Sequence, residues 1–313
     1  MMKIGIIGAG AIGLLYAYQF SPIFPVTLYT KRMHQCKLLK EKGITLMENN
    51  SPAMNRKVQV KHISDMVKLE DDVILVAVKQ YALHEIMPHL MGLNKEQSVL
   101  FLQNGMGHLD LAGRINAAKP LIGVVEHGVK KLDDVTIIWT GKGMTKVAPL
   151  RKDCMDKQFL TLWEEGLEDC FPVQTRDNHK IMLTEKLIVN AIINPLTTLY
   201  RVKNGQLVQN RFYKNAMITL YEEISFLIDE EKKEEVWNHV LNVCRNTAEN
   251  WSSMQRDIEN GRRTEVEAIL GYVIFSAKEQ GKTVPLTEFI YTSIKGLEEN
   301  HLYTTELRIE EER

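Results

Sequence analysis

The sequence predicts two domains: a doubly wound α/β domain of Rossmann type, then an all-helical one. Three observations carry the prediction. Short apolar, β-rich runs alternate with helical patterns over residues 1–150. A glycine-rich hexapeptide links the first such run to the first helix. From about Asp153 onward, long segments place apolar residues at a 3.6-residue period. At about 150 residues per domain, 313 residues suffice for two, and the expected boundaries are 1–170 and 171–313.

The apolar runs lie at 3–7, 26–29, 73–78, 99–102 and 121–125. Such apolarity is what a parallel sheet covered on both faces requires. Helix-like segments at 11–20, 31–42 and 81–90 fall between several of them, giving the strand–helix–strand repetition of a doubly wound sheet. Two later β-like stretches, 135–140 and 145–148, are joined by Gly141-Lys142-Gly143 and read as a closing hairpin. In the second half the helical segments are 180–199, 212–228, 234–246, 264–280 and 286–297. The terminal Glu310-Glu311-Glu312-Arg313 reads as a solvated, frayed end.

With 39 Lys+Arg against 40 Asp+Glu, the formal charge is −1, which lacks the electrostatic footprint of a general nucleic-acid binder. Anionic partners must be met by local clusters of cations. Hydrophobic residues at 44% and charged residues at 25% exclude a disordered chain. Cys36, Cys154, Cys170 and Cys244 lie far apart without a C-x-x-C pair, so neither a zinc site nor a disulfide framework is expected. No run approaches the ~20 apolar residues of a membrane span. The uncharged stretch 4–20 mimics a signal core, but Gly5, Gly8, Gly10 and Gly13 break it. A cytoplasmic protein with no membrane partner is expected.

Gly8-Ala9-Gly10-Ala11-Ile12-Gly13 forms a G-x-G-x-x-G between a strand and a helix. Gly8 serves the tight turn, Gly10 admits a pyrophosphate to the backbone, and Gly13 lets helix and strand pack. The helix N-terminus beyond offers free N–H groups to phosphate. A purely structural glycine turn is the plainer reading, and the strand–loop–helix context argues against it. An NAD enzyme usually places an acid at the end of the second strand, for the ribose 2′-hydroxyl. Here Tyr29-Thr30-Lys31-Arg32 carries none, and its cations and donors suit a 2′-phosphate. NADP(H) is therefore expected over NAD(H). Lys79 follows the third run and Asn104-Gly105-Met106-Gly107 the fourth, where ligands bind at the carboxyl ends of strands.

In the helical half, Lys186, Asn190 and Asn194 are spaced i, i+4, i+8 and share one face of an otherwise apolar segment. Burying three polar groups there is costly unless something bonds to them, whether neighbouring helices or a ligand. Pro195 is expected to break or kink that helix. Further on, Ser252-Ser253 reads as a cap or turn, and Glu265 as an acid favouring the start of a helix.

Together, the glycine loop, Lys79, Asn104-Gly105-Met106-Gly107, KLxxNxxxNPLT at 186–197, SSM at 252–254, GRxTE at 261–265 and the Gly281 to Pro285 segment resemble the ketopantoate reductase family. The motifs occur in family order over nearly the whole chain. The resemblance implies a helical domain similar to the C-terminal domain of 6-phosphogluconate dehydrogenase. It also implies NADPH-dependent reduction of the small 2-keto acid 2-dehydropantoate, in a cleft between the domains. Lys186 matches the family's catalytic lysine and Glu265 its catalytic glutamate. Asn104, Asn190, Asn194 and Ser253 match substrate-contacting positions, and Asn104, Glu265 and Lys79 also face the cofactor. Lys31 and Arg32 match the region that holds the 2′-phosphate, with both alignments open. No metal is implied, and a homodimer is kept as a candidate assembly.

Thr184 stands where relatives often carry an aromatic residue, and Glu126 where a small or polar residue is common. Another 2-keto acid therefore stays open as substrate, as does a non-catalytic NADPH sensor, which would need neither Lys186 nor Glu265. A zinc-dependent dehydrogenase is excluded by scattered histidines without H-E-x-x-H spacing.

Overall fold

The computed structural model describes residues 1–48, 53–66, 68–115, 119–152 and 154–311, with side chains to residue 300. Asp153, where the sequence changes character, and the side chains of Glu310 to Arg313 lie outside the described residues. The chain divides into two compact units, Met1–Gln103 with His108–Met182, and Asn104–Gly107 with Leu183–Arg313.

In the first unit the elements run β1 (Ile4–Ile7), α1 (Ala11–Phe20), β2 (Val26–Thr30), α2 (Met33–Lys42), β3 (Ile44–Glu48), β4 (Met54–Arg56) and β5 (Gln59–His62). There follow β6 (Val73–Val76), α3 (Leu83–Met91), β7 (Ser98–Phe101), α4 (Leu109–Gly113) and β8 (Lys119–Val125). The unit is completed by β9 (Gly128–Lys131), β10 (Thr136–Gly141), β11 (Thr145–Pro149), α5 (Lys157–Leu167) and β12 (Val173–Thr175). The main sheet has the order β12-β11-β8-β7-β6-β1-β2-β5. From β5 to β8 every pairing is parallel, which is the strand order of a dinucleotide-binding sheet. Strands β1, β2, β6 and β7 are buried along their whole length, as their apolar runs require.

A second sheet, β4-β3-β10-β9, lies against α1. Helix α1 is therefore buried from Gly13 to Phe20 and is apolar on all sides. Its Tyr16 and Phe20 meet each other, Trp163 and Phe171 edge-to-face at centroid distances of 4.8–6.1 Å, and Trp163 stacks on Phe171 at 5.8 Å. Each such pair adds about 0.5–1.5 kcal/mol beyond its burial.

The expected hairpin is not formed. Strand β10 pairs with β3 and β9, whereas β11 pairs antiparallel with β8 in the main sheet. The intervening Gly143 passes so close to Glu126 that a Cβ would lie 2.4 Å from its carbonyl oxygen, so the chain crosses between sheets without folding back.

The second unit is helical: α6 (His179–Tyr200, which the unit enters at Leu183), α7 (Asn204–Gln209), α8 (Arg211–Ile224), α9 (Lys233–Asn246) and α10 (Ser253–Glu259). A wide π-turn over Glu267–Gly271 leads into α11 (Tyr272–Glu279) and then α12 (Pro285–Glu311). Gly281 adopts φ +63° just past α11, and Pro285 opens α12. Those are the stop and start positions that suit glycine and proline. Glu223 accepts from the backbone of Leu286 and Thr287 at 3.0 and 2.6 Å, placing an acid at the N-terminus of α12.

Helix α6 does not end at Pro195 but continues to Tyr200. The Thr197 hydroxyl donates within the helix to Ile193 O at 2.7 Å and Thr198 donates to Asn194 O at 2.6 Å. Leu187, Ile188, Ala191, Ile192 and Leu196 are buried, so packing carries the helix past the missing amide.

Candidate active site

The glycines of the first unit shape the turn between β1 and α1. Gly8 has φ +112°, and a Cβ there would lie 2.9 Å from Val78, so the turn closes tightly on the end of β6. A Cβ at Gly13 would lie 1.8 Å from the Gly8 carbonyl oxygen, so only glycine lets α1 start there. Gly10 is exposed with nothing within 4 Å of its side-chain position, leaving open room before α1. Together with Ala9, Ala11 and Ile12 these residues fit a pyrophosphate against the unpaired N–H groups of the first turn.

Lys31 and Arg32 follow β2 and turn to different partners. Lys31 Nζ is bonded to both Glu85 oxygens at 2.9 and 2.7 Å, on exposed surface. Arg32 pairs with Asp134 and bonds Gln35 Oε1 at 3.1 Å. Thr30, fully buried, has a hydroxyl without a hydrogen-bond partner among the described residues. Burial would raise the Asp134 carboxyl, but hydrogen bonds from Lys131 and Arg32 outweigh it and hold the group below the usual range. Lys79 lies three residues past β6 and precedes a single 3₁₀ turn, Gln80–Ala82. Its strand is tied to β7 by Gln103, whose amide donates to Val76 O and Val78 O, both at 2.9 Å.

In the second unit, Lys186 and Asn190 are half-buried on α6, and Asn194 is buried one turn further on. Ser252 caps α10 through Gln255 N at 3.2 Å and accepts from the Thr197 hydroxyl at 2.8 Å. That bond ties the start of α10 to α6, with Ser253 exposed as the first residue of α10.

Asn104 and Glu265, 161 residues apart, meet directly: Asn104 Nδ2 donates to Glu265 Oε2 at 2.8 Å. The backbone beside Asn104 is fixed by Gly105, at φ +75°, where a Cβ would lie 2.1 Å from the Ala268 carbonyl oxygen in the π-turn. Glu265 is not the helix cap its sequence position suggests. Thr264 takes that role, accepting from Val266 N at 3.1 Å, and the Glu265 carboxylate turns to Asn104.

Several supporting residues gave no signal in the sequence. Glu298, on α12 and 6% exposed, accepts from both the backbone and the hydroxyl of Thr264 at 2.6 Å. Burial raises the Glu298 carboxyl, yet the donors Thr264 and Lys295 bring it below its ordinary value. Gln35, Lys131 and Asp134 likewise carry no sequence signature, and only their partners in space identify them. Glu126, an unusual residue on sequence grounds, is paired with Lys146 at 2.6 Å. Among the described residues no cluster of His, Cys, Asp and Glu forms a metal site, and no helix is long and apolar enough to cross a membrane.

Comparison with known proteins gives a consistent answer. The profile "Ketopantoate reductase PanE/ApbA" matches residues 4–152, and its C-terminal counterpart matches residues 178–298. The chain is 38% identical to a 2-dehydropantoate 2-reductase of Listeria monocytogenes, over 95% of this chain and 97% of that one. It is 37% identical to a Bacillus subtilis protein of the same description, over 96% and 98% of the two chains. The crystal structure of a probable 2-dehydropantoate 2-reductase from Bacillus subtilis superposes with a TM-score of 0.82 at 35% identity, over 95% of this chain and all of that one. A D-mandelate dehydrogenase with bound NADH, 24% identical, shares the fold at a TM-score of 0.86 over 96% of this chain and 99% of its own. On both the profile matches and the near full-length identity, the chain belongs to the ketopantoate reductase PanE/ApbA family.

Proposed function

We propose that this NAD(P)-dependent oxidoreductase uses NADPH to reduce 2-dehydropantoate to (R)-pantoate, a step toward pantothenate and coenzyme A. Residues 1–170 supply the cofactor site and residues 171–313 the catalytic groups. The observation that carries the reading is the 2.8 Å bond between Asn104 and Glu265, which joins two candidate groups from distant sequence in one polar site.

The bound cofactor supplies the hydride. As negative charge builds on the keto oxygen, Lys186 Nζ donates to it and delivers the proton, a contribution of roughly 10²–10⁴-fold. Glu265, held by Asn104, orients the lysine and accepts from the product hydroxyl. Asn190, Asn194 and Ser253 bind the carboxylate and the 4-hydroxyl. Gly8, Ala9, Gly10, Ala11, Ile12 and Gly13 hold the pyrophosphate, Lys31 and Arg32 the 2′-phosphate, and Lys79 the nicotinamide end.

The test is NADPH oxidation over a panel of 2-keto acids that includes 2-dehydropantoate. Preference for another acid by about tenfold or more in kcat/KM overturns the substrate, and comparable rates with NADH overturn the cofactor choice. Lys186→Ala is expected to lose kcat, and Asn190→Ala or Ser253→Ala to raise KM. Near wild-type kcat in Lys186→Ala removes it as the acid.

A further inference from the structure

Where β2 ends, the last residue of β9, Lys131, and Asp134 in the connection to β10 bring in two further charges. Asp134 Oδ1 accepts from Arg32 Nη2, a residue 102 positions away, and from Lys131 Nζ at 3.0 Å. Lys131 Nζ also lies 3.5 Å from the carbonyl oxygen of Ala9, inside the glycine loop. Buried Gln35 locks the arrangement, its amide donating to Ala9 O at 2.8 Å and to Asp134 O at 2.9 Å. On the outer side His34 Nδ1 is 3.5 Å from Asp134 Oδ2. The fold has thus placed a carboxylate and a third cation at the end of the second strand, where a Rossmann sheet reads the ribose 2′ position.

A carboxylate oxygen gripped by a guanidinium and an ammonium occupies the place a phosphate oxygen would take, since both are oxyanions with the same donor preference. We propose that Lys131 and Asp134 set cofactor selectivity. Lys131 joins Arg32 in binding the 2′-phosphate, and Asp134 is the internal anion that the phosphate displaces from both. This rests on the NADP(H) reading above. Lys131 is a direct ligand. Asp134 opposes the phosphate through charge, so its presence moderates the selectivity that Arg32 and Lys131 create.

The test is calorimetric binding of adenosine 2′,5′-bisphosphate and of 5′-AMP, which differ only in the 2′-phosphate, to the full chain. Lys131→Ala is expected to lower the preference for the bisphosphate about tenfold, as loss of one charge-assisted hydrogen bond does. Lys131→Gln, which keeps the stem and drops the charge, is expected to lower it as well. Asp134→Asn, which keeps the backbone bond to Gln35, is expected to raise it severalfold. An unchanged preference in both Lys131 variants, or a lowered one in Asp134→Asn, overturns the inference. A lowered preference is the result if Asp134 merely positions Arg32. A wild type without preference that gains one in Asp134→Asn overturns the NADP(H) reading and keeps this one. No preference in either protein overturns both.

Discussion

Removing the carboxylate of Glu298 tests whether the segment carrying Glu265 is held from α12. Thr264 is 2% exposed, and its backbone N–H and its hydroxyl both donate to Glu298 Oε1 at 2.6 Å. In Glu298→Ala both donors lose their acceptor without reaching water. Leaving a buried donor unpaired costs about 1–3 kcal/mol, and the hydroxyl can turn elsewhere, so a loss of about 2–4 kcal/mol is expected. The Lys295 bond at 3.0 Å adds little, since that ammonium is partly solvated. Glu298→Gln keeps the volume and one acceptor and should lose about 1–2 kcal/mol, the charged share of the bonds. Urea unfolding reads the stability, with the slope held constant, and steady-state kinetics read kcat. Because Thr264 precedes Glu265, kcat should fall in both variants.

The pH dependence has a definite sign. The folded Glu298 carboxyl titrates below its ordinary 4.5, because the donors outweigh burial. Its stabilisation is therefore present above pH 4.5 and is lost as pH falls below it. Glu298→Gln should lack that acid-side component. A loss below about 0.5 kcal/mol in Glu298→Ala, or an unchanged kcat, would refute the reasoning, since either means that Thr264 finds other partners.

Asn104→Ala should lower kcat, and Asn104→Asp should lower it further near neutral pH, because two carboxylates at that distance repel. The kcat of Asn104→Asp should recover toward acid pH as one of them takes a proton, and a flat pH profile counts against a direct contact. Gly105→Ala places a methyl 2.1 Å from the Ala268 carbonyl oxygen at a positive φ, so about 2 kcal/mol or more of stability should be lost in thermal unfolding. Burial, with a smaller push from His179, lowers the His108 ring from 6.5 to about 4, so the folded chain binds its proton later than the unfolded one. Stability should then fall from pH 6.5 toward about 4, by up to about 3 kcal/mol, and His108→Leu should abolish that component of the pH–stability curve.

The strands legible in the sequence are those covered on both faces. The runs at 3–7, 26–29, 73–78, 99–102 and 121–125 all became β-strands of the main sheet. Strands β4 (Met-Asn-Arg), β5 (Gln-Val-Lys-His) and β9 (Gly-Val-Lys-Lys) escaped, because an edge strand needs apolar residues on at most one face. Missing β9 and β3 removed the partners of β10, and without them a hairpin with β11 looked natural. For a related reason Pro195 does not break its helix. Its local cost is real, but the helix around it is buried and its threonine hydroxyls bond the neighbouring carbonyls.

The same division runs through the site. That Lys186, Asn190 and Asn194 share one helix was legible, because helical spacing is written in the sequence. Apart from the family motif, Glu265 was visible only as an acid at a helix start, the position that gives an acid its plainest use. Its contact with Asn104 depends on Thr264 taking the cap, on Glu298 holding Thr264, and on Gly105 letting the loop approach the π-turn. None of these has a spacing signature, since the pairs lie 161 and 34 residues apart. Net charge hides the surroundings of Arg32 in the first unit in the same way. Arg32 reads in sequence as a free cation awaiting a phosphate, whereas in the fold it holds the carboxylate of Asp134. Its affinity for an anion is then a difference between two anions, and a difference of that kind is set by the fold and cannot be read from Arg32 alone.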